Sequence, residues 1–128
     1  MSRLLLIDDD ALFREMLAAA LIQAGHTVAQ ARDGEEGVRL FHAEPVDLVI
    51  TDLVMPRREG IETMLALHRA RPDLPIIAMS GGPVRSSLYL DLAARLGACH
   101  TLAKPFATET LLSRIQEALT PPAAPAAP

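Results

Sequence analysis

With 128 residues the chain is long enough to bury one sizeable core and too short for two domains. Half of it is hydrophobic, yet no apolar run approaches the roughly 18 residues that span a bilayer, so a soluble protein with no membrane partner is expected. A net charge of −4 and an aromatic content of 3% provide neither a basic footprint for phosphate backbones nor rings for stacking on bases, which argues against nucleic acid as a partner. Cys99 is the one cysteine, which excludes an intrachain disulfide and a cysteine-built metal site and leaves it the role of small core filler. Met1-Ser2-Arg3 runs straight into Leu4-Leu5-Leu6-Ile7 and three aspartates, too short and too acidic for a secretory signal, so a cytoplasmic location is the expectation.

In chain order, Leu4 to Ile7 predicts a short strand ended by Asp8-Asp9-Asp10. Leu12, Met16, Leu17, Ala20 and Leu21 then recur at helical spacing up to Gly25. Thr27-Val28-Ala29 is a weaker strand, and Asp33-Gly34 opens a second helix carrying Val38, Leu40 and Phe41 and stopped by Pro45. Leu48-Val49-Ile50, apolar on consecutive positions, predicts a strand buried on both faces that runs into Thr51-Asp52. Ile61, Met64, Leu65 and His68 mark a third helix, Pro75 to Met79 a fourth strand, and Leu88, Leu92 and Leu96 a fourth helix closed by Gly97. Thr101-Leu102-Ala103 is a short fifth strand, and Leu111, Leu112, Ile115 and Leu119 form one face of a last helix ended by Pro121. The Pro/Ala-rich segment 121–128 predicts a disordered tail behind a domain spanning 1–120.

Alternating strands and helices imply right-handed crossovers, a parallel sheet and helices on both faces, the doubly wound α/β class. Ligands in that class gather at the carboxyl ends of the strands, where strand order reverses. Asp8, Asp9 and Asp10 follow strand one, Asp52 strand three, Ser80 strand four, and Lys104-Pro105-Phe106 strand five. Carboxylates crowded at one edge raise one another's pKa unless a cation sits among them. An oxygen-only donor set suits Mg²⁺ better than zinc. An aspartate can attack phosphorus when cations neutralise the charge on the transferring group, and Lys104 supplies one such charge. A hydroxyl such as that of Ser80 can donate to a phosphoryl oxygen and tie its loop to occupancy of the site. Asp10, opening a helix, is assigned as an N-cap and not as a ligand. His26, His42, His68 and His100 lie on different elements with no metal-like spacing.

From Arg3 to Leu119 the chain resembles the receiver domains of two-component response regulators. The resemblance rests on Asp8-Asp9, on Thr51-Asp52-Leu53-Val54-Met55-Pro56 with Gly60, on Ser80, and on Lys104-Pro105-Phe106, in order. It implies a five-stranded, flavodoxin-like sheet of order 2-1-3-4-5. Residue by residue, it implies Asp52 as phosphoacceptor, Asp9 as a direct Mg²⁺ ligand, Asp8 as a ligand through water and Val54 as a ligand through its backbone carbonyl. Lys104 resembles the phosphoryl-binding lysine, in a family where the peptide before the following proline is often cis. Two departures stand out. Thr101 occupies the place of a tyrosine or phenylalanine whose ring commonly moves on activation, and Ser80-Gly81-Gly82-Pro83 sets two residues permissive of positive φ beside one that fixes φ. Val54 and Gly82 offer no polar side chain to orient a hydrolytic water, which predicts slow self-dephosphorylation.

The function expected is therefore a phosphoacceptor switch, with no turnover of its own and no visible output domain, that takes a phosphoryl group from a histidine kinase or phosphotransfer protein and changes its surface for a downstream protein. A homodimer through the face from helix four to helix five is compatible with that reading. Three alternatives are weighed beside it. A relay intermediate would use the same residues, and a non-phosphorylated scaffold would not need the full set of Asp8, Asp9, Asp52, Ser80 and Lys104. An aspartate-nucleophile phosphohydrolase is disfavoured because Val54 stands where a second acid would act on the leaving group.

Overall fold

In a computed structural model, which describes residues 2–53, 59–81 and 86–120, five strands pair in parallel in the order β2-β1-β3-β4-β5. The elements alternate as β1 (Arg3–Ile7), α1 (Ala11–Gln23), β2 (Thr27–Ala31), α2 (Gly34–Ala43), β3 (Leu48–Asp52), α3 (Glu59–Ala70), β4 (Ile76–Ser80), α4 (Ser86–Arg95), β5 (His100–Ala103) and α5 (Thr108–Leu119). This is the doubly wound arrangement expected. The tail 121–128, the Val54–Arg58 stretch, Gly82, Pro83 and the side chain of Tyr89 lie outside what is described.

The alternation of side chains along each strand divides the core into two layers. Leu5, Ile7, Val49, Ile76 and Ala78 face one way and pack with Phe41 of α2, Met64 and Leu67 of α3 and Ala93 of α4. Leu4, Leu6, Leu48, Ile50, Ile77 and Met79 face the other way, toward Leu17 and Leu21 of α1 and Leu111 and Ile115 of α5. Every residue of β3 and β4 is buried, as a central strand covered by helices on both sides requires. In α1 the inward stripe is Phe13, Leu17 and Leu21, at intervals of four residues. Leu12 and Met16, one position earlier in each turn, therefore point outward and are 70% and 66% exposed, although their spacing alone made them part of the expected apolar face.

Caps fix where the helices begin. Asp10 accepts from the backbone N–H of Phe13 at 3.1 Å, and Asp33 from that of Glu36 at 2.8 Å. Asp10 is thus the N-cap that the sequence suggested. Cys99, expected as core filler, is exposed, because it sits in the turn between α4 and β5. Its thiol nevertheless turns inward to donate to the Ile76 carbonyl at 3.4 Å, and burial of that sulfur pushes the thiol pKa up.

Candidate functional site

Asp52 is the last residue of β3 and Ser80 the last of β4, so both strands run one or more residues further than their apolar runs indicate. Three backbone bonds carry the ladder past the strand ends and hold the next residues in place. Asp8 N–H donates to the Ala31 carbonyl at 3.1 Å, Leu53 N–H to Met79 at 2.8 Å, and Lys104 N–H to Ser80 at 2.8 Å. The side chains of Asp8, Asp52 and Lys104 consequently meet at one edge of the sheet, beside the point where the chain order reverses between β1 and β3.

Lys104 Nζ donates to Asp8 Oδ2 at 2.7 Å and to Asp52 Oδ2 at 3.2 Å. Burial alone would lower the lysine pKa. The hydrogen bond to Asp8, the charges of Asp52 and Asp8 and the bond to Asp52 outweigh it and hold the pKa above the ordinary lysine value. The other oxygen of Asp8, Oδ1, accepts from the Asp10 N–H at 2.9 Å, so both oxygens of this fully buried carboxylate have donors. Carboxylate oxygens of Asp8, Asp9 and Asp52 lie within 4.8 Å of one another, a grouping able to share one ion directly or through water. Asp9 is exposed, whereas the other two are buried. Asp10, excluded from the ligand set, is occupied in capping α1.

Ser80 Oγ is buried and finds no hydrogen-bond partner among the described residues. A buried hydroxyl without a partner costs free energy, so its retention suits a group that gains a partner only when something binds. Gly81 does not use the positive φ that a glycine permits. Its lack of a side chain serves space: a Cβ would lie 3.1 Å from Lys104 Cδ, pressing on the lysine stem. The Lys104-Pro105 peptide is cis, in keeping with the resemblance. Thr101 is half-buried in the edge strand β5, opposite Ala78. Val54, proposed as a carbonyl ligand, lies outside the described residues.

Residues that the sequence reading did not single out also border the site. Arg14 Nη1 donates to the Asp8 carbonyl at 2.8 Å and its Nε to Gln30 Oε1 at 3.2 Å, tying the first turn of α1 to the ends of β1 and β2. The ring of Phe13 lies under the lysine ammonium, with Nζ 4.3 Å from its centroid. The available signal was their position three and four residues after a capping aspartate, which turns them back over the strand end.

A family model described as "Response regulator receiver domain" matches residues 4–116. The protein named Response regulator MprA from Mycolicibacterium vanbaalenii is 38% identical over 117 residues, covering 91% of this chain and 50% of that protein. Its namesake from Mycobacterium leprae is 37% identical with the same coverage, so the chain spans about half the length of the curated relatives it matches. A response regulator receiver domain protein from Clostridium thermocellum has a TM-score of 0.86 at 27% identity, over 93% of this chain and 94% of that one. The response regulator TrrA of Thermotoga maritima, solved in complex with Mg²⁺ and BeF, has a TM-score of 0.82 at 29% identity, over 93% of this chain and all of that one (100%).

Proposed function

Because this chain belongs to the response regulator receiver domains, we propose that it is a phosphoacceptor switch in which Asp52 takes a phosphoryl group from a histidine kinase or phosphotransfer protein. The observation that carries this reading is the approach of Lys104 Nζ to both Asp8 and Asp52, which puts a cation beside a strand-end aspartate. In the transfer, an Asp52 oxygen bonds to phosphorus as the bond from phosphorus to the donor imidazole nitrogen breaks. The electron pair stays with that nitrogen, and the product is an acyl phosphate on Asp52.

Lys104 faces the charge that the phosphoryl oxygens bring, and Ser80 Oγ supplies a donor that in the resting protein has no partner among the described residues. Asp8, Asp9 and Asp52 fit a Mg²⁺ ion by their oxygen-only donors and mutual proximity, with the Val54 carbonyl as the further ligand that the family would supply. When bound, such an ion neutralises charge on the transferring group. The donor protein has an apolar landing place in Leu12 and Met16, exposed on the helix that starts beside Asp9. Among the described residues no helix is long and apolar enough to cross a membrane, and we place the switch in the cytoplasm, with a protein as its downstream partner.

Intact-mass measurement after incubation with acetyl phosphate and Mg²⁺ tests the assignment. The wild-type chain is expected to gain one phosphoryl group and Asp52→Asn none. A wild type that gains nothing under conditions that phosphorylate a relative overturns it.

A further inference from the structure

The lysine that faces the acceptor is held from two sides, and only one of them is charged. On one side stand Asp8 and Asp52, at 2.7 and 3.2 Å from Nζ. On the other lies the face of Phe13, with Nζ 4.3 Å from the ring centroid, inside the range where an ammonium is attracted by the aromatic quadrupole. The ring is fixed by its surroundings. Its backbone N–H is bonded to the Asp10 cap, and the neighbouring Arg14 anchors the same turn to the Asp8 carbonyl. Phe106, two residues after the lysine, meets it edge to face at an interplanar angle of 88° with centroids 6.1 Å apart. Gly81 leaves room for the lysine stem on a further side, and the Lys104 side chain is only 18% exposed.

These two holds respond differently to binding. The pull of the carboxylates on the ammonium depends on their negative charge, and a divalent cation shared by Asp8, Asp9 and Asp52 competes for that charge. Attraction to the Phe13 face does not involve those oxygens and persists. A leucine at this position would pack against Phe106 and the lysine stem but would offer the ammonium no electron-rich face.

We propose that Phe13 is a positioning residue for Lys104, keeping its ammonium at the mouth of the acceptor site while Asp8 and Asp52 are engaged by a cation or a phosphoryl group. The proposal rests on the acceptor reading of Asp52. It gives α1 a direct link to the lysine, in a chain where Thr101 replaces the aromatic residue common on β5.

Two measurements on the full chain test it. The first needs no phosphorylation: the ε-methylene protons of Lys104, assigned by NMR in ¹³C-lysine-labelled protein, are expected upfield of ordinary lysine because of the Phe13 ring current. They should return to the ordinary position in Phe13→Leu. The second is the rate of phosphoryl gain from acetyl phosphate with Mg²⁺, expected to fall about fivefold in Phe13→Leu, the factor a partly desolvated cation–π contact carries. Phe13→Tyr, which keeps the ring, should restore both, and thermal melts establish that each variant is folded, with Phe13→Met as a second ring-free variant. An unshifted lysine resonance in the wild type, an unchanged rate in the ring-free variants, or an equal loss in Phe13→Tyr overturns the proposal. A wild type that shows the ring-current shift but takes no phosphoryl group instead overturns the acceptor reading, and the positioning role with it.

Discussion

The ammonium of Lys104 lies closer to Asp8, at 2.7 Å, than to Asp52, at 3.2 Å. The lysine in the resting chain therefore serves first as the counter-ion of a fully buried carboxylate that also belongs to the candidate cation site. Lys104→Met should lower stability without divalent ions by about 1–3 kcal/mol, since it strips a charged partner from a buried acid. It should also tighten Mg²⁺ binding, because the ion no longer competes with an ammonium. Urea denaturation with and without Mg²⁺, with calorimetric titration of the ion, checks both. Equal stability and equal affinity would contradict this account of the pair.

Ser80→Ala should move stability the other way. Its buried hydroxyl has no partner among the described residues, so removing it relieves desolvation and leaves the resting protein unchanged or stabilised by up to about 1 kcal/mol. Phosphoryl binding should suffer, because the waiting donor is gone. Denaturation midpoints for the resting chain, set beside the spectral change on adding a beryllofluoride phosphoryl mimic, separate the two effects.

Gly60 is a matter of space. A Cβ there would lie 2.4 Å from the Cα of Leu53 and 2.5 Å from its carbonyl oxygen, both backbone atoms that no rotamer change can clear. Gly60→Ala should cost about 2 kcal/mol or more through the forced shift of α3 against the end of β3. That displacement would disturb the residue after Asp52. A thermal melt superimposable on wild type would exclude so close an approach.

Cys99 carries a pH dependence whose sign can be worked out. Burial raises its pKa above the ordinary 9.0, so above that pH the unfolded chain gives up the thiol proton more readily than the folded one. The folded state then binds more protons, and stability falls as pH rises from about 9.0 through the raised folded value. Alkylation by iodoacetamide at pH 8 should be slower than that of a free thiol. Cys99→Ser should remove the difference in the alkaline slope of stability, as read by denaturation at several pH values.

Val54 lies two residues past Asp52, the proposed acceptor, and a valine side chain has no group to orient an attacking water. Val54→Asn is expected to shorten the life of the phosphorylated form, followed as loss of the mass adduct after the phosphate donor is removed. An unchanged lifetime would rule out Val54 as a determinant of the hydrolysis rate.

Much of this architecture was legible because parallel strands declare themselves twice, as apolar runs and as chemistry placed just beyond them. Leu48-Val49-Ile50 announced β3, and Asp52 was conspicuous as a charge ending a buried run. Sequence patterns were weaker where one residue type serves two purposes. Phe13 reads as core at helical spacing, and only its neighbours in space disclose that its face meets an ammonium. Leu12 and Met16 share the same period but sit one step off the inward stripe, a rotation that apolar content cannot fix. Gly81 reads in sequence as a residue permissive of positive φ, whereas the pressure on it comes from Lys104, remote in the chain and adjacent in the fold.

The pairing of Asp8 with Lys104 joins residues 96 positions apart, the end of the first strand and the exit of the last. Contacts of such sequence separation cannot form until nearly the whole chain is available, and β5, which delivers the lysine, adds to the outer edge of β4. On a ribosome the acidic cluster is synthesised well before its counter-charge. The candidate site is thus completed only at the close of assembly, and a chain cut short before β5 holds Asp8 and Asp52 without the lysine that joins them.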